Sequence, residues 1–168
     1  MRFGIKTSPQ NTTWPDMLAV WQAADGMEIF ESAWTFDHFY PIFTEELDGD
    51  CMEGWITLTA LAQATRRLRV GVLVTATPYR HPAVLAKMAS TLDIISGGRL
   101  DLGLGAGWNV VEARAYHLDL LEDLTERFDA FDEMCAALVA LLTEERTTYT
   151  GRYVQLTDAY CSPQRKAA

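Results

Sequence analysis

A chain of 168 residues, 49% hydrophobic and 22% charged, has the length of one domain and the composition of a globular one. Its net charge of −9, with no basic run outside the last few residues, excludes nucleic acid as a partner, because phosphate binding needs Lys and Arg gathered on one face. No stretch approaches the roughly 18 uninterrupted apolar residues of a membrane span, and the apolar opening from Met1 to Lys6 is too short for a signal peptide. Cys51, Cys135 and Cys161 are an odd set without metal-ligand spacing, so a reduced cytoplasmic setting and no metal site are expected.

Strand and helix signals alternate from the first residue. Arg2 to Lys6 predicts a short strand, and Thr13 caps a helix whose apolar face is Met17, Leu18 and Trp21, ended by Gly26. Ile29 to Phe36 reads as a second strand running into Asp37 and His38. A helix follows from about Glu53 to Thr65, with Trp55, Leu58, Leu61 and Ala62 as its inner stripe. Leu68 to Val74 is a nearly continuous aliphatic run, as in a parallel strand covered on both faces. Pro82 opens a third helix with Val84, Leu85, Met88, Leu92 and Ile95 at helical spacing, and Gly97 stops it in left-handed geometry.

Leu100 to Leu104 predicts a fourth strand, leaving through glycines 103, 105 and 107. Asp123 with Glu126 reads as a capping box for a helix to about Thr143, with Phe128, Phe131, Met134, Leu138 and Leu141 inward. Thr147 to Tyr149 and Tyr153 to Leu156 flank Gly151 and Arg152 as a β-hairpin, and the tail from Ser162 to Ala168 adds no core. Strand starts near 2, 29, 68 and 100 give a βα period of roughly 30 residues. Four such units fit half of a (βα)8 barrel or half of an open doubly wound sheet.

The glycine spacing at 103, 105 and 107 is G-x-G-x-G, not the G-x-G-x-x-G that opens a dinucleotide-binding helix. Ligands in α/β proteins bind at the carboxyl ends of strands. His38 lies at such an end, as a functional side chain or as part of an Asp-His pair capping a loop. His81, before Pro82, reads as loop-shaping and His117 as solvated.

Taken in order and spacing, seven phrases resemble the bacterial luciferase-like family of flavin- and deazaflavin-dependent oxidoreductases over residues 1 to about 163. They are Glu31 to Phe39, Gly71 to Thr75, Tyr79 to Ala86, Thr91 to Leu100, Gly103 to Trp108, Glu126-Arg127-Phe128 and Gly151-Arg152-Tyr153. Asp37-His38 with Tyr79-Arg80-His81-Pro82 is most similar to the branch using the deazaflavin coenzyme F420, with FMN as the alternative cofactor. The resemblance implies a (βα)8 barrel, of which residues 1–168 form a single partial-barrel domain, truncated after the fourth βα unit, with two open edges and an apolar inner face.

It implies His38 as the catalytic proton donor or acceptor. Asp37, Leu73, Val74 and Thr75 would bind the cofactor, with a non-proline cis peptide at Leu73–Val74 supporting the ring, and Gly107, Trp108 and Asn109 would line the cofactor or substrate pocket. Some deazaflavin enzymes place an acidic donor near Trp108. Trp cannot serve so, and Glu112, about one helical turn on, is a poor substitute. The implied reaction passes a hydride between a reduced deazaflavin or flavin and a small organic substrate. Oxygen as co-substrate would require FMN, making the chain a monooxygenase. The remaining alternative is a catalytically incompetent fragment, or a subunit completing a barrel with a second copy or a separate chain.

Overall fold

The computed structural model describes residues 1–163; the last part of the tail, 164–168, lies outside the described residues. In chain order the elements are β1 (Phe3–Lys6), α1 (Trp14–Asp25), β2 (Phe30–Thr35), α2 (Gly54–Ala64), β3 (Arg69–Val72), β4 (Thr75–Ala76), a 3-10 turn (Thr77–Tyr79) and α3 (Pro82–Ile95). Then come β5 (Leu100–Asp101), β6 (Leu104–Gly105), α4 (Val110–Ala115), α5 (Leu124–Thr143), β7 (Thr147–Thr150) and β8 (Gln155–Ala159). Two compact units result: Met1–Thr75 with Ile95–Gly103, and Ala76–Ile94 with the chain from Leu104 onward.

The first unit is a four-stranded parallel sheet in the order β1-β2-β3-β5. That order follows the chain without reversal, as barrel winding requires, whereas a doubly wound sheet turns back beside its first strand. Local chemistry sets the helices. Thr13 accepts the Asp16 N–H at 3.3 Å and caps α1, and Glu53 accepts the Ile56 N–H at 2.6 Å and caps α2. Both helices pack on the sheet through the stripes their spacing predicts, with Trp21, Leu58, Leu61 and Ala62 fully buried. The Trp21 indole N–H is satisfied by Thr7 Oγ1 at 2.8 Å.

The opposite face of this sheet differs from expectation. Lys6 pairs with Trp34, Trp34 with Gly71, and Gly71 with Asp101, and the Arg69–Asp101 ion pair lies alongside, so the face is polar and mixed rather than apolar. Gly71 is required there: a Cβ would sit 2.4 Å from the Trp34 ring and 2.5 Å from the Asp101 carbonyl. The predicted fourth strand is also interrupted. β5 ends at Asp101, and β6 forms a separate two-stranded sheet with β4.

Two polar hubs close the turns of the first unit. Gly97, at φ +72°, stops α3 as expected. Arg99 then donates to the carbonyls of Ser96, Leu68, Ala62 and Thr65, tying the end of α2 to the start of β3. Asp25 accepts three consecutive backbone amides, those of Arg66, Arg67 and Leu68, at 2.9–3.0 Å.

In the second unit α5 packs on β7, and Glu133 repeats the Asp25 device by accepting the amides of Arg152, Tyr153 and Val154 at 2.8–3.0 Å. Gly151 makes room for it, since a Cβ would lie 2.1 Å from Glu133 Oε2. Met134, Leu138 and Leu141 are buried as the spacing predicts, but Phe128 is 56% exposed because the buried first-turn position belongs to Arg127. Arg127 donates to the Leu121 and Gly107 carbonyls. In α3 the inner face is Leu85, Ala86, Ala89 and Leu92, with Val84 and Ile95 exposed. Among the described residues no helix is long and apolar enough to cross a membrane.

Burial raises the pKa values of Asp25 and Glu133, but the three backbone amides and the neighbouring Arg67 or Arg152 outweigh it, so both carboxyls lie below their ordinary values. A lowered folded pKa contributes stability above the unfolded value, about 4, that is lost as pH falls through the folded one. Urea denaturation from pH 7 to 2 is therefore expected to show stability falling below about pH 4. Asp25→Asn and Glu133→Gln should each flatten that fall and lower the melting temperature at pH 7 by roughly 2–4 °C.

Candidate active site

Parallel pairing gathers the segments that follow β1, β2, β3 and β5 at one edge of the sheet. Thr35 pairs with Val72, and the Leu73 N–H donates to the Thr35 carbonyl at 2.9 Å. Residues 36–38 and 73–75 therefore leave the sheet from adjacent strands at the same carboxyl edge. His38 is half-buried, its ring edge-on to Phe36 at 5.2 Å between centroids and 79° between planes. Phe36 is itself buried, with the Lys6 ammonium 5.3 Å from its centroid. Asp37 is 3% exposed.

Two features that sequence reading passed over fix this segment. Gly54 opens α2 directly against it: a Cβ would lie 1.9 Å from the Phe36 carbonyl oxygen, and Thr35 Oγ1 donates to the Gly54 carbonyl at 3.3 Å. The Cys51 thiol donates to the His38 carbonyl at 3.4 Å. Neither carries a local signal, because each acts on backbone distant in sequence.

The peptide between Leu73 and Val74 is cis, as the resemblance implies. Their side chains are 47% and 41% exposed, an apolar ledge at the sheet edge, while Thr75 is fully buried with no hydrogen-bond partner for Oγ1. The Thr75 N–H donates to the Gly103 carbonyl at 2.9 Å. A Cβ on Gly103 would come 2.5 Å from the Val72 carbonyl, so the glycine serves strand approach there.

Gly107, Trp108 and Asn109 belong to the second unit. Gly107 has φ +81° and turns tightly against Pro78 and Leu120, and Trp108 is 53% exposed. Asn109 Oδ1 accepts the Glu112 N–H at 3.1 Å and caps α4. Glu112 is fully buried and accepts a hydrogen bond from the Tyr79 hydroxyl at 2.5 Å, which sequence spacing did not reveal. A cleft of about 490 Å³ in this unit is lined by Pro78, Arg80, His81, Arg127, Phe131 and Tyr153, among others. His81 Nδ1 accepts the Ala83 N–H at 3.2 Å, the loop-shaping role expected of it, and His117 is exposed. The structure thus brings Asp37, His38, Leu73, Val74 and Thr75 to one sheet edge, and sets the 107–109 turn in the other unit.

An unreversed parallel (βα) sheet, with a histidine segment and a cis-peptide step leaving its carboxyl edge, defines part of a (βα)8 barrel. The chain belongs to the luciferase-like monooxygenase family, whose model matches residues 1–168. It is 34% identical over 125 residues to an F420-dependent hydroxymycolic acid dehydrogenase of Mycobacterium tuberculosis, covering 74% of this chain and 34% of that protein. It is 31% identical over 160 residues to an F420-dependent glucose-6-phosphate dehydrogenase of Kineococcus radiotolerans, covering 95% and 46%. A solved monooxygenase from Streptomyces bottropensis superposes with a TM-score of 0.82 at 27% identity, over 98% of this chain and 50% of that one. The chain spans half or less of the length of these relatives.

Gly54→Ala forces the Phe36 carbonyl and the first turn of α2 apart. Urea denaturation should show a loss of about 1–3 kcal/mol, and the His38 ring resonances should shift. Parental stability with unmoved His38 resonances would contradict the close approach.

Proposed function

We propose that the carboxyl edge of the four-stranded sheet binds the tricyclic ring of coenzyme F420, and that the complete barrel transfers a hydride between this deazaflavin and a small organic substrate. The observation that carries the reading is the Leu73 N–H on the Thr35 carbonyl, 2.9 Å apart, which sends the His38 segment and the Leu73–Val74 step out side by side. Two further features fit a flat heteroaromatic group. The exposed Leu73 and Val74 side chains offer an apolar ledge, and Thr75 Oγ1 is a buried polar atom lacking a partner. The F420-dependent relatives support the choice of cofactor.

When bound, the deazaflavin would donate or accept the hydride, and the protein supplies binding and orientation. His38 holds or delivers a proton at its imidazole, held edge-on by Phe36. Asp37 sets the imidazole tautomer or touches the cofactor. Leu73 and Val74 bear on the ring, and Thr75 is the next residue of the same binding segment. Gly107, Trp108 and Asn109 are a second proposed binding segment, through the half-exposed indole. A subunit or second copy that pairs with the open edges of the sheet belongs to the same proposal.

The monooxygenase relative favours a second reading, in which oxygen is the co-substrate; oxygen chemistry would call for FMN at the same edge in place of the deazaflavin. Fluorescence titration with coenzyme F420 and with FMN separates the two: tighter F420 binding is expected. Val74→Asp should weaken it at least about tenfold by placing a charge on the ledge. In any preparation with turnover, His38→Asn should lower the rate by roughly 10²–10⁴. Binding of neither cofactor, or a Val74→Asp affinity equal to the parent's, would falsify the assignment.

A further inference from the structure

The segment from His38 to Asp50, which joins β2 to α2, contains no helix or strand, so its course depends on contacts with other parts of the chain. A loop of this length pays a large conformational entropy on ordering. Pro41 and Ile42 are its buried residues, and Ile42, 8% exposed, is the anchor. Gln10, in the turn after β1, holds that anchor from both sides of its backbone. Gln10 Nε2 donates to the Ile42 carbonyl at 2.9 Å, and Gln10 Oε1 accepts the Ile42 N–H at 2.8 Å. One carboxamide thus satisfies both backbone groups of a residue, as a neighbouring strand would.

The surrounding backbone repeats the attachment. Gln10 and Cys51 form an antiparallel bridge, with the Asn11 N–H on the Asp50 carbonyl and the Met52 N–H on the Pro9 carbonyl, both at 2.8 Å. Gly49 lets the loop close on Asn11, whose Oδ1 would be 1.9 Å from a Cβ there. Cys51 then reaches the His38 carbonyl through its thiol at 3.4 Å. The chemistry of the double contact is specific to glutamine. Glutamate lacks the donor, methionine lacks both groups, and asparagine is one methylene short.

We propose that Gln10 is a positioning residue: by clamping Ile42 it holds the segment Asp37–Ile42, and with it the His38 imidazole, in place for the proton step. This rests on the function proposed above. An anchor of this kind acts on catalysis through geometry, where a displacement of about 1 Å can cost 10²-fold in rate.

The test compares the parent with Gln10→Met and with Gln63→Met, a control that loses a glutamine hydrogen bond elsewhere, Gln63 Nε2 to the Ile95 carbonyl at 2.7 Å. Three quantities are read: Ile42 amide hydrogen exchange, the His38 ring resonances, and the Kd for coenzyme F420. Gln10→Met should speed Ile42 exchange and weaken the F420 Kd by roughly tenfold each, and shift the His38 resonances, with Gln63→Met at parental values in all three. Parental Ile42 protection overturns the proposal, and so does faster exchange with His38 resonances and affinity unmoved. If Gln10→Met does not fold, Gln10→Asn is judged by the same readouts. A parent that binds no F420 contradicts the functional reading, while Ile42 exchange and the His38 resonances still decide whether Gln10 holds the loop.

Discussion

The parallel register of β2 against β3 is the constraint on which the site depends. Thr35 opposite Val72 fixes where both strands end, and a slip of one residue would turn every side chain of a strand to the other face of the sheet. With that register, the half-buried His38 and the exposed Leu73–Val74 ledge emerge at the same edge. Main-chain hydrogen bonds supply the geometry, and the side chains supply the chemistry placed on it.

Packing around that edge is set by missing side chains as much as by those present. Gly54, Gly71 and Gly103 each stand where a Cβ would meet a carbonyl oxygen at 2.5 Å or less. These contacts draw α2 onto the end of β2, the Trp34 ring and β5 onto β3, and the chain after β5 onto the end of β3. Backbone polar groups at the turns are taken up by a few charged side chains, Asp25, Arg99 and Glu133, each making several bonds to main chain. The polar face bearing Arg69 and Asp101 is consistent with a barrel interior that is not purely aliphatic.

Much of this was legible in the sequence. Caps at Thr13 and Asp123, the start of α2 near Glu53, the stop at Gly97, and the stripe through Trp55, Leu58 and Leu61 all follow from local rules and appear in the structure. His38 was legible because a strand signal ran into it, and the cis step at Leu73–Val74 through family resemblance. Periodicity failed where a polar residue took a buried position, as Arg127 did at the expense of Phe128. The contacts made by Gln10, Gly54 and Glu112 escaped notice for a different reason. Their partners lie 32, 18 and 33 positions away, and no local pattern records such pairings.

The central claim is that a tricyclic ring rests on the Leu73–Val74 ledge beside His38. Its most direct test is a set of intermolecular nuclear Overhauser effects recorded on the protein with bound coenzyme F420. Contacts from the ring protons to the Val74 methyls and to the His38 imidazole are the result expected. Ring contacts to other residues, with none to either of these, would contradict the account.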